Sequence, residues 1–214
     1  LEGLFGAVEK VVTTKELIDK NTLASLKIKC IILKHPNIRE KMDYAEELEY
    51  IVTNKQRLDF VCNLLRHLRG NTLCLFQLVE KHGKILNDKM KEEENVYFVY
   101  GGTDTSAREK IRGLVETHSK STTIASFGVF STGINIRNIN NIVLASPSKS
   151  KIRVLQSIGR GLRTSSSKDS VLIYDIADDI SYNERRNYTL NHFTERLNIY
   201  NEEQFDYDIS KVKL

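Results

Sequence analysis

The stretch "TLCLF" (72–76) is short and almost continuously apolar. A run of this kind predicts a strand that is covered on both faces, as the strands of a parallel sheet are. Five further runs share this character and are also predicted to be strands: "KCIIL" (29–33), "VYFVY" (96–100), "TTIAS" (122–126), "NIVLAS" (141–146) and "SVLIYDI" (170–176).

Amphipathic segments alternate with these runs, since their apolar residues recur at the spacing of one helix face. Four segments have this spacing: "KQRLDFVCNLLRHLR" (55–69), "SAREKIRGLVETH" (106–118), "KIRVLQSIGRGL" (151–162) and "NYTLNHFTERLNIY" (187–200). Ser106 and Glu109 are spaced as a capping box at the start of the second one. Repeated strand–helix units predict an α/β fold with a mostly parallel β-sheet and helices on both faces. Ligands of such sheets bind at the carboxyl ends of the strands.

The composition is that of a globular protein and excludes several classes. The 214 residues are 40% apolar and 28% charged, which suits one large domain or two small ones. No apolar run is long enough to cross a membrane, so we expect no membrane partner. The three cysteines lack metal-binding spacing, which predicts buried thiols, no metal site and a reducing, cytoplasmic location. The net charge of +4 is a weak indication of a polyanionic partner.

Two of the turns after predicted strands have the composition of ligand-binding turns. The sequence from Gly101 to Asp104 forms a tight turn before a helix, where free N–H groups attract an anion such as phosphate. The other turn, "FGVFSTGINI" (127–136), contains small hydroxyl residues that can donate to a nucleic-acid backbone. A plain turn with a capping residue is the simpler alternative for the first turn, and a polar loop without function is an equal alternative for the second, so neither decides the function.

The stretch "LQSIGRGLR" (155–163) is the strongest indication of chemistry. Arg160 and Arg163 project from one helix face about one turn apart, and Gly159 and Gly161 remove bulk around them. This pattern suits guanidinium groups that approach a phosphate closely, although an exposed basic helix face is the simpler alternative.

The groups that hold ATP are missing from the sequence. It has no GxxxxGK[ST] phosphate loop and no acidic box for magnesium. The carboxylates of "YDIADD" (174–179) are predicted to cap a helix and close a turn. The chain therefore looks equipped to complete an ATP site that another domain holds.

Four segments resemble, in order, the motifs of superfamily 2 helicases. "QSIGRGLR" (156–163) resembles motif VI, "ASFGVFSTGINI" (125–136) motif V, and "TLCLFQLVEKHGKIL" (72–86) the motif IV strand and helix. "VYFVYGGTDTSARE" (96–109) resembles the segment after motif IV, and "LFGAVEKVVTTKELIDKNTLASLKI" (4–28) the connector that follows a first motor domain. Within the superfamily, the sequences of these segments are most similar to those of the UvsW-type recombination helicases of bacteriophages.

The resemblance implies a RecA-like fold and half of a two-domain motor. It divides the chain into a connector (1–25), a RecA-like helicase C-terminal domain (26–200) and a tail or edge strand (201–214). Because the chain starts at Leu1, we expect it to be part of a longer polypeptide. The first RecA-like domain of that polypeptide would hold most of the ATP and its Mg²⁺ in the cleft between the domains.

The resemblance also implies roles for ten residues. The catalytic ones are Arg160 and Arg163 as arginine fingers, with Gln156 at the same cleft. Gly133, Asn135 and Gly159 would lie near the nucleotide, and Asn135 stands where the family more often has aspartate. The nucleic-acid contacts would be Ser126, Thr132, Gly102 and Thr103.

The function implied is that of an ATP-dependent DNA helicase acting on branched DNA in recombination, repair and fork remodelling. Its location would be the cytoplasm of a bacterium or of a phage-infected host, and the fragment alone would be inactive. Two alternatives remain open: a duplex translocase motor of a restriction or remodelling enzyme, and a non-catalytic RecA-like module that binds nucleic acid. A Rossmann-type enzyme is disfavoured, since no strand precedes a GxGxxG sequence.

Overall fold

A single parallel sheet organises the chain. The computed structural model describes residues 25–36, 38, 40–131, 138–147, 170–183 and 185–214. Within these ranges seven strands pair in the order β3-β4-β2-β5-β6-β1-β7, and every pairing is parallel. The strands are β1 (Ser25–Lys34), β2 (Asn71–Phe76), β3 (Val96–Val99), β4 (Ser121–Ser126), β5 (Asn141–Leu144), β6 (Ser170–Asp179) and β7 (Asp206–Lys213). All six predicted strands are confirmed, and the chain's last residues add β7 as an edge strand.

Helices connect the strands and cover the sheet. They are α1 (Tyr44–Thr53), α2 (Lys55–His67), α3 (Lys84–Met90), α4 (Thr105–Thr117), α5 (Phe127–Ser131) and α6 (Tyr188–Glu202), with one π-helical turn (Val79–Gly83) leading into α3. The predicted helices that became α2, α4 and α6 are confirmed. The predicted helix at 151–162 and the connector at 1–24 lie outside the described residues.

Two helix starts differ from the sequence-based expectation. The helix α1 was not predicted, although Asp43 and Glu46 form a capping box with bonds of 2.8 and 2.9 Å. The capping box predicted at Ser106 and Glu109 is wrong. The N-cap of α4 is Asp104, two residues before Ser106, and the Ser106 hydroxyl donates to the Asp104 carboxylate at 2.9 Å.

The core consists of two apolar layers, one on each face of the sheet. The helices α4 and α6 cover one face, where Leu75, Ile173 and Phe193 are fully or almost fully buried. The helices α2 and α3 cover the other face, where Val61 and Leu86 pack against the strands. Helices therefore lie on both faces, as the alternation of strands and helices predicts.

The structure also bears on the predictions for the cysteines and for membrane-spanning segments. Cys30, Cys62 and Cys74 are buried thiols, as predicted, and burial raises the pKa of the Cys62 and Cys74 thiols. Among the helices described, none has an apolar stretch that would cross a bilayer.

The prediction that the carboxylates of "YDIADD" (174–179) cap a helix is wrong. Asp175 and Asp178 do not cap a helix; they are fully buried on opposite faces of β6. Asp175 accepts two hydrogen bonds from the Arg196 guanidinium, at 2.7 and 3.1 Å, and one from the Tyr200 hydroxyl at 2.8 Å. Only Asp179 closes a turn, since its carboxylate accepts from the backbone N–H of Ser181.

We predict that Asp175→Asn lowers the free energy of unfolding by about 3–5 kcal/mol, because it leaves the Arg196 charge buried and uncompensated. Urea denaturation of the 214-residue chain measures this change. The matched control is Asp206→Asn, which removes an exposed ion pair with Lys27 whose atoms lie 3.9 Å apart. Equal stability of the two variants would show that the buried pair does not anchor α6.

Candidate functional site

The carboxyl ends of all seven strands lie at one edge of the sheet, because every strand runs in the same direction. This edge holds the three predicted site residues that the structure describes: Gly102 and Thr103 follow β3, and Ser126 ends β4. Since β3 and β4 are neighbours, the structure brings these residues to adjacent strand ends. Seven predicted site residues lie outside the described residues: Thr132, Gly133, Asn135, Gln156, Gly159, Arg160 and Arg163.

The turn between β3 and α4 is tight and exposed. The Thr103 N–H donates to the Tyr100 carbonyl at 2.9 Å, and the Tyr100 N–H donates to the Thr103 hydroxyl oxygen at 3.0 Å. Gly101 and Gly102 are exposed, and the Asp104 side chain does not cap the first turn of α4. Backbone N–H groups at this helix start are thus available to an anion.

Arg108 fixes the shape of this turn. Its guanidinium donates to the carbonyls of Thr103 at 2.8 Å and Gly101 at 3.0 Å. The side chain lies one turn into α4 and reaches back over the loop. The sequence analysis missed Arg108, because an arginine on an amphipathic helix has the signature of an ordinary surface residue until the turn's carbonyls are seen.

Ser126 is less accessible than its predicted role suggests. It pairs in register with Phe76 of β2 and is only 8% exposed. The helix α5 begins at the next residue, Phe127. A ligand could therefore contact Ser126 only where the end of β4 meets solvent. Thr103, by contrast, lies in an open turn.

Ser146 joins the segments that follow β2 and β5. Its hydroxyl oxygen accepts from the Gln77 N–H at 3.0 Å and lies 2.8 Å from Nδ1 of the buried His82. Gly83 makes this packing possible, because a Cβ at that position would lie 2.4 Å from the Phe76 ring. The motif IV segment is thereby tied to the chain that leaves β5 toward the motif VI stretch.

A buried ionic network lies beside this link. The Arg57 side chain donates from Nε to the Asp178 carboxylate at 2.8 Å and from an NH2 group to the Ala145 carbonyl at 2.7 Å. His35 Nε2 lies 2.9 Å from the same Asp178 oxygen. The side chains of Arg57, His35 and Asp178 are 0% exposed. The network holds together α2 and the ends of β1, β5 and β6.

The network controls the ionisation of Asp178. Burial by itself would raise the pKa of the carboxyl group, but the Arg57 guanidinium and the His35 hydrogen bond outweigh it and hold the pKa at about 2. Asp178 is therefore ionised at neutral pH.

Metal-binding clusters are not found in the part of the chain that the structure describes. No group of three or more histidine, cysteine, aspartate or glutamate side chains there is arranged to hold a metal ion.

Comparisons with known proteins support the resemblance to superfamily 2 helicases. The family model described as "Helicase conserved C-terminal domain" matches residues 56–165. The ATP-dependent DNA helicase UvsW of Enterobacteria phage T4 is 36% identical over 231 aligned residues, which cover 99% of this chain and 46% of that protein. The chain thus spans less than half the length of this relative.

Solved structures agree with the fold. The crystal structure of T4 UvsW superposes with a TM-score of 0.77 at 32% identity, over 95% of this chain and 42% of that one. The C-terminal domain of the DEAD-box protein Dbp5 superposes with a TM-score of 0.57 at 14% identity, over 91% of this chain and 92% of that one. The predicted RecA-like fold and the resemblance to superfamily 2 helicases are both confirmed.

We predict that the stability that Asp178 contributes is lost as the pH falls through the window between its unfolded and folded pKa values. The folded pKa, about 2, is below the ordinary value of 3.8, so this stability is fully present above the ordinary value. The difference in free energy of unfolding between the parent and Asp178→Asn should narrow by about 1 kcal/mol between about pH 5 and pH 3. Urea denaturation at each pH measures it, and a pH-independent difference would contradict the assignment.

The two glycines of the β3–α4 turn make a matched pair for a further prediction. A Cβ at Gly102 would lie 2.7 Å from the Tyr100 ring, whereas a Cβ at Gly101 meets nothing within 4 Å. We expect Gly102→Ala to lower the free energy of unfolding by about 1 kcal/mol, since the ring must move. Gly101→Ala should leave it unchanged or slightly higher. Chemical denaturation compares the two variants, and the reverse order would contradict the described turn.

Proposed function

The chain belongs to the helicase conserved C-terminal domain family, and from that premise we propose that it is the second motor domain of an ATP-dependent DNA helicase. The first RecA-like domain of the same polypeptide would supply the phosphate loop and the magnesium carboxylates. The observation that carries the proposal is the common edge of the sheet. The β3–α4 turn, the end of β4 and the Ala145–Ser146 segment that leads to the motif VI stretch all lie along it.

The proposed chemistry of this domain is charge stabilisation at ATP. Bound ATP with Mg²⁺ supplies the phosphoryl group that is transferred to water. Arg160 and Arg163 would neutralise negative charge that develops on the γ-phosphate, because planar guanidinium groups match phosphate oxygens. Gln156 would lie beside them, with Gly133, Asn135 and Gly159 close to the nucleotide. The buried contacts of Arg57 and Ser146 support this role, because they fix the chain just before it departs toward these arginines.

The proposed grip on DNA uses the neighbouring turns. Thr103 and Gly102 are suited to a backbone phosphate, since their turn is exposed, is held by Arg108 and leads into an uncapped helix start. Ser126, at the end of β4, and Thr132, in the motif V stretch, would extend the contact. ATP binding would close the two domains on the strand and hydrolysis would reopen them.

Branched DNA is the proposed substrate, by the likeness to UvsW. A strand-displacement assay on forked DNA with the complete protein tests this, because a translocase that does not unwind would move on duplex DNA without releasing a strand. Sequencing the coding region before Leu1 provides a second test. A missing phosphate loop there would favour the non-catalytic module.

We predict that Arg160→Ala or Arg163→Ala in the complete protein lowers ATP turnover by about 10³-fold or more, with far less change in ATP affinity. DNA-stimulated ATPase assays and nucleotide-binding measurements provide the two readouts. Arg112→Ala is the matched control, because Arg112 is on α4 and pairs only with Glu109 and Glu116 among the residues described. Parent-like turnover of both finger variants would contradict the proposal.

A further inference from the structure

A basic cavity lies beyond the motif segments, at the same edge of the sheet. It has a volume of about 420 Å³ and is formed by residues that follow β1 and β6. We call it the post-β6 cavity, and its lining includes Lys41, Tyr182, Arg185, Arg186 and Tyr188. Three of these five side chains are cationic and the other two are aromatic. This is the combination that holds phosphates and stacks bases in nucleic-acid-binding grooves.

The three cations of the cavity are available to a ligand. Lys41, Arg185 and Arg186 are exposed, and none of them forms an ion pair with a residue in the described ranges. Tyr188 is 42% exposed. Cations that converge on one cavity without internal partners repel each other, and an anion in the cavity relieves that repulsion.

The carboxylate that also lines the cavity offsets only one of the three cations. Glu47 is 1% exposed, and its oxygens accept hydrogen bonds from the N–H groups of Tyr188 and Thr189 at the start of α6. It also accepts from the Asn187 side chain at 2.8 Å. Glu47 thus stabilises the N-terminus of α6, and with three cations and one carboxylate the lining keeps a net charge of 3 − 1 = +2.

The loop that carries the arginines is held in one shape. Tyr182 and Arg185 exchange two backbone hydrogen bonds, at 3.1 and 2.9 Å, and Asn183 has a φ of 46°, a left-handed conformation that asparagine tolerates. The Asn187 side chain closes the loop, since it accepts from the Ile180 N–H and donates to the Asp178 carbonyl, both at 3.1 Å. The backbone at Tyr182 and Arg185 is therefore held in place, so little backbone entropy is lost there on binding.

The basic surface continues beyond a single cavity. An adjoining cavity of about 450 Å³ shares Lys41, Tyr182 and Arg185 with the post-β6 cavity. Three strand steps, of about 4.8 Å each, separate β4 from β6 along the edge. A DNA strand bound at the turns after β3 and β4 can thus reach these cations along one edge of the sheet.

From these observations, we propose that the post-β6 cavity binds a backbone phosphate of the DNA, a contact outside the helicase motif segments. Arg185, Arg186 and Lys41 would contact phosphate oxygens, and Tyr182 or Tyr188 would lie against a base. The inference rests on the proposed function, because it extends the DNA path of that motor. The contact does not depend on sequence, as suits a protein that moves along its substrate.

The test compares Arg185→Gln/Arg186→Gln with a control that removes the same charge elsewhere. The control is Lys91→Gln/Lys110→Gln, two exposed lysines, one directly after α3 and one on α4, that form no ion pair with the residues described. Fluorescence anisotropy with a labelled DNA oligonucleotide, between about 50 and 200 mM salt, gives the affinity and its salt dependence. Circular dichroism and a thermal melt verify that each variant of the 214-residue chain is folded.

The arginine variant should bind DNA about tenfold more weakly, and its slope of log K against log salt should be shallower by about 0.7–0.9 for each lost phosphate contact. The lysine control should stay within about twofold of the parent. DNA that carries 5-iododeoxyuridine should crosslink to Tyr182 or Tyr188 in the parent.

Three results would count against the idea. If the arginine variant binds like the lysine control, the post-β6 cavity is not on the DNA path, while the proposed motor function stands. If inorganic tripolyphosphate binds the parent but the variant keeps its DNA affinity, the cavity is a small-anion site and the inference is overturned. If the parent binds no DNA even at low salt, both the inference and the proposed DNA grip fail.

Discussion

Asp178 is the point on which the carboxyl edge of the sheet depends. Its carboxylate takes hydrogen bonds from Arg57 on α2 and His35 after β1, and Arg57 continues to the Ala145 carbonyl after β5. One buried charge thus connects four elements that are far apart in sequence. Removing Asp178 or Arg57 would leave the charge of the other uncompensated in the interior, which costs far more than an exposed ion pair contributes. The segment that leads toward the motif VI stretch therefore starts from a fixed position.

The opposite face of β6 repeats this arrangement with a different helix. Asp175 holds Arg196 and Tyr200 of α6, and Glu47 caps the first turn of the same helix. The helix α6 is thus fixed near both its start and its end by carboxylates from other elements. The proposed motor role requires such rigid connections. A flexible β-sheet would deform when ATP is hydrolysed instead of moving the DNA strand.

The sequence predicts the sheet far better than it predicts these connections. The strands were recognisable because a strand covered on both faces must be apolar throughout, as "TLCLF" is. Buried charges have no such signature, since the partner of Asp178 is 121 residues away and that of Glu47 is 142. The helix α1 was missed for the same reason. Its acidic residues suggest a solvated segment, but Glu47 is buried because the N–H groups of α6 receive it.

The sequence predicts the parts of the candidate site that are defined by neighbouring residues. It does not reveal the parts that depend on contacts between residues far apart in the chain. The Gly102–Thr103 turn follows from its own residues, whereas the role of Arg108 requires the folded turn. The post-β6 cavity needed the whole fold, because Lys41 and Arg185 are distant in sequence and meet only where β1 and β6 end together.

Along this edge of the sheet, two carboxylates are buried, whereas the three cations of the post-β6 cavity are exposed. Asp178 and Glu47 are buried and accept hydrogen bonds from donors of the protein itself. Lys41, Arg185 and Arg186 remain outside without carboxylate partners among the residues described. A net charge of only +4 over the chain can therefore coexist with a locally positive edge. The same buried carboxylates that make the sheet rigid thus leave its carboxyl edge suited to a polyanion, and for this reason the rigidity of the domain and its proposed grip on DNA have a common structural origin.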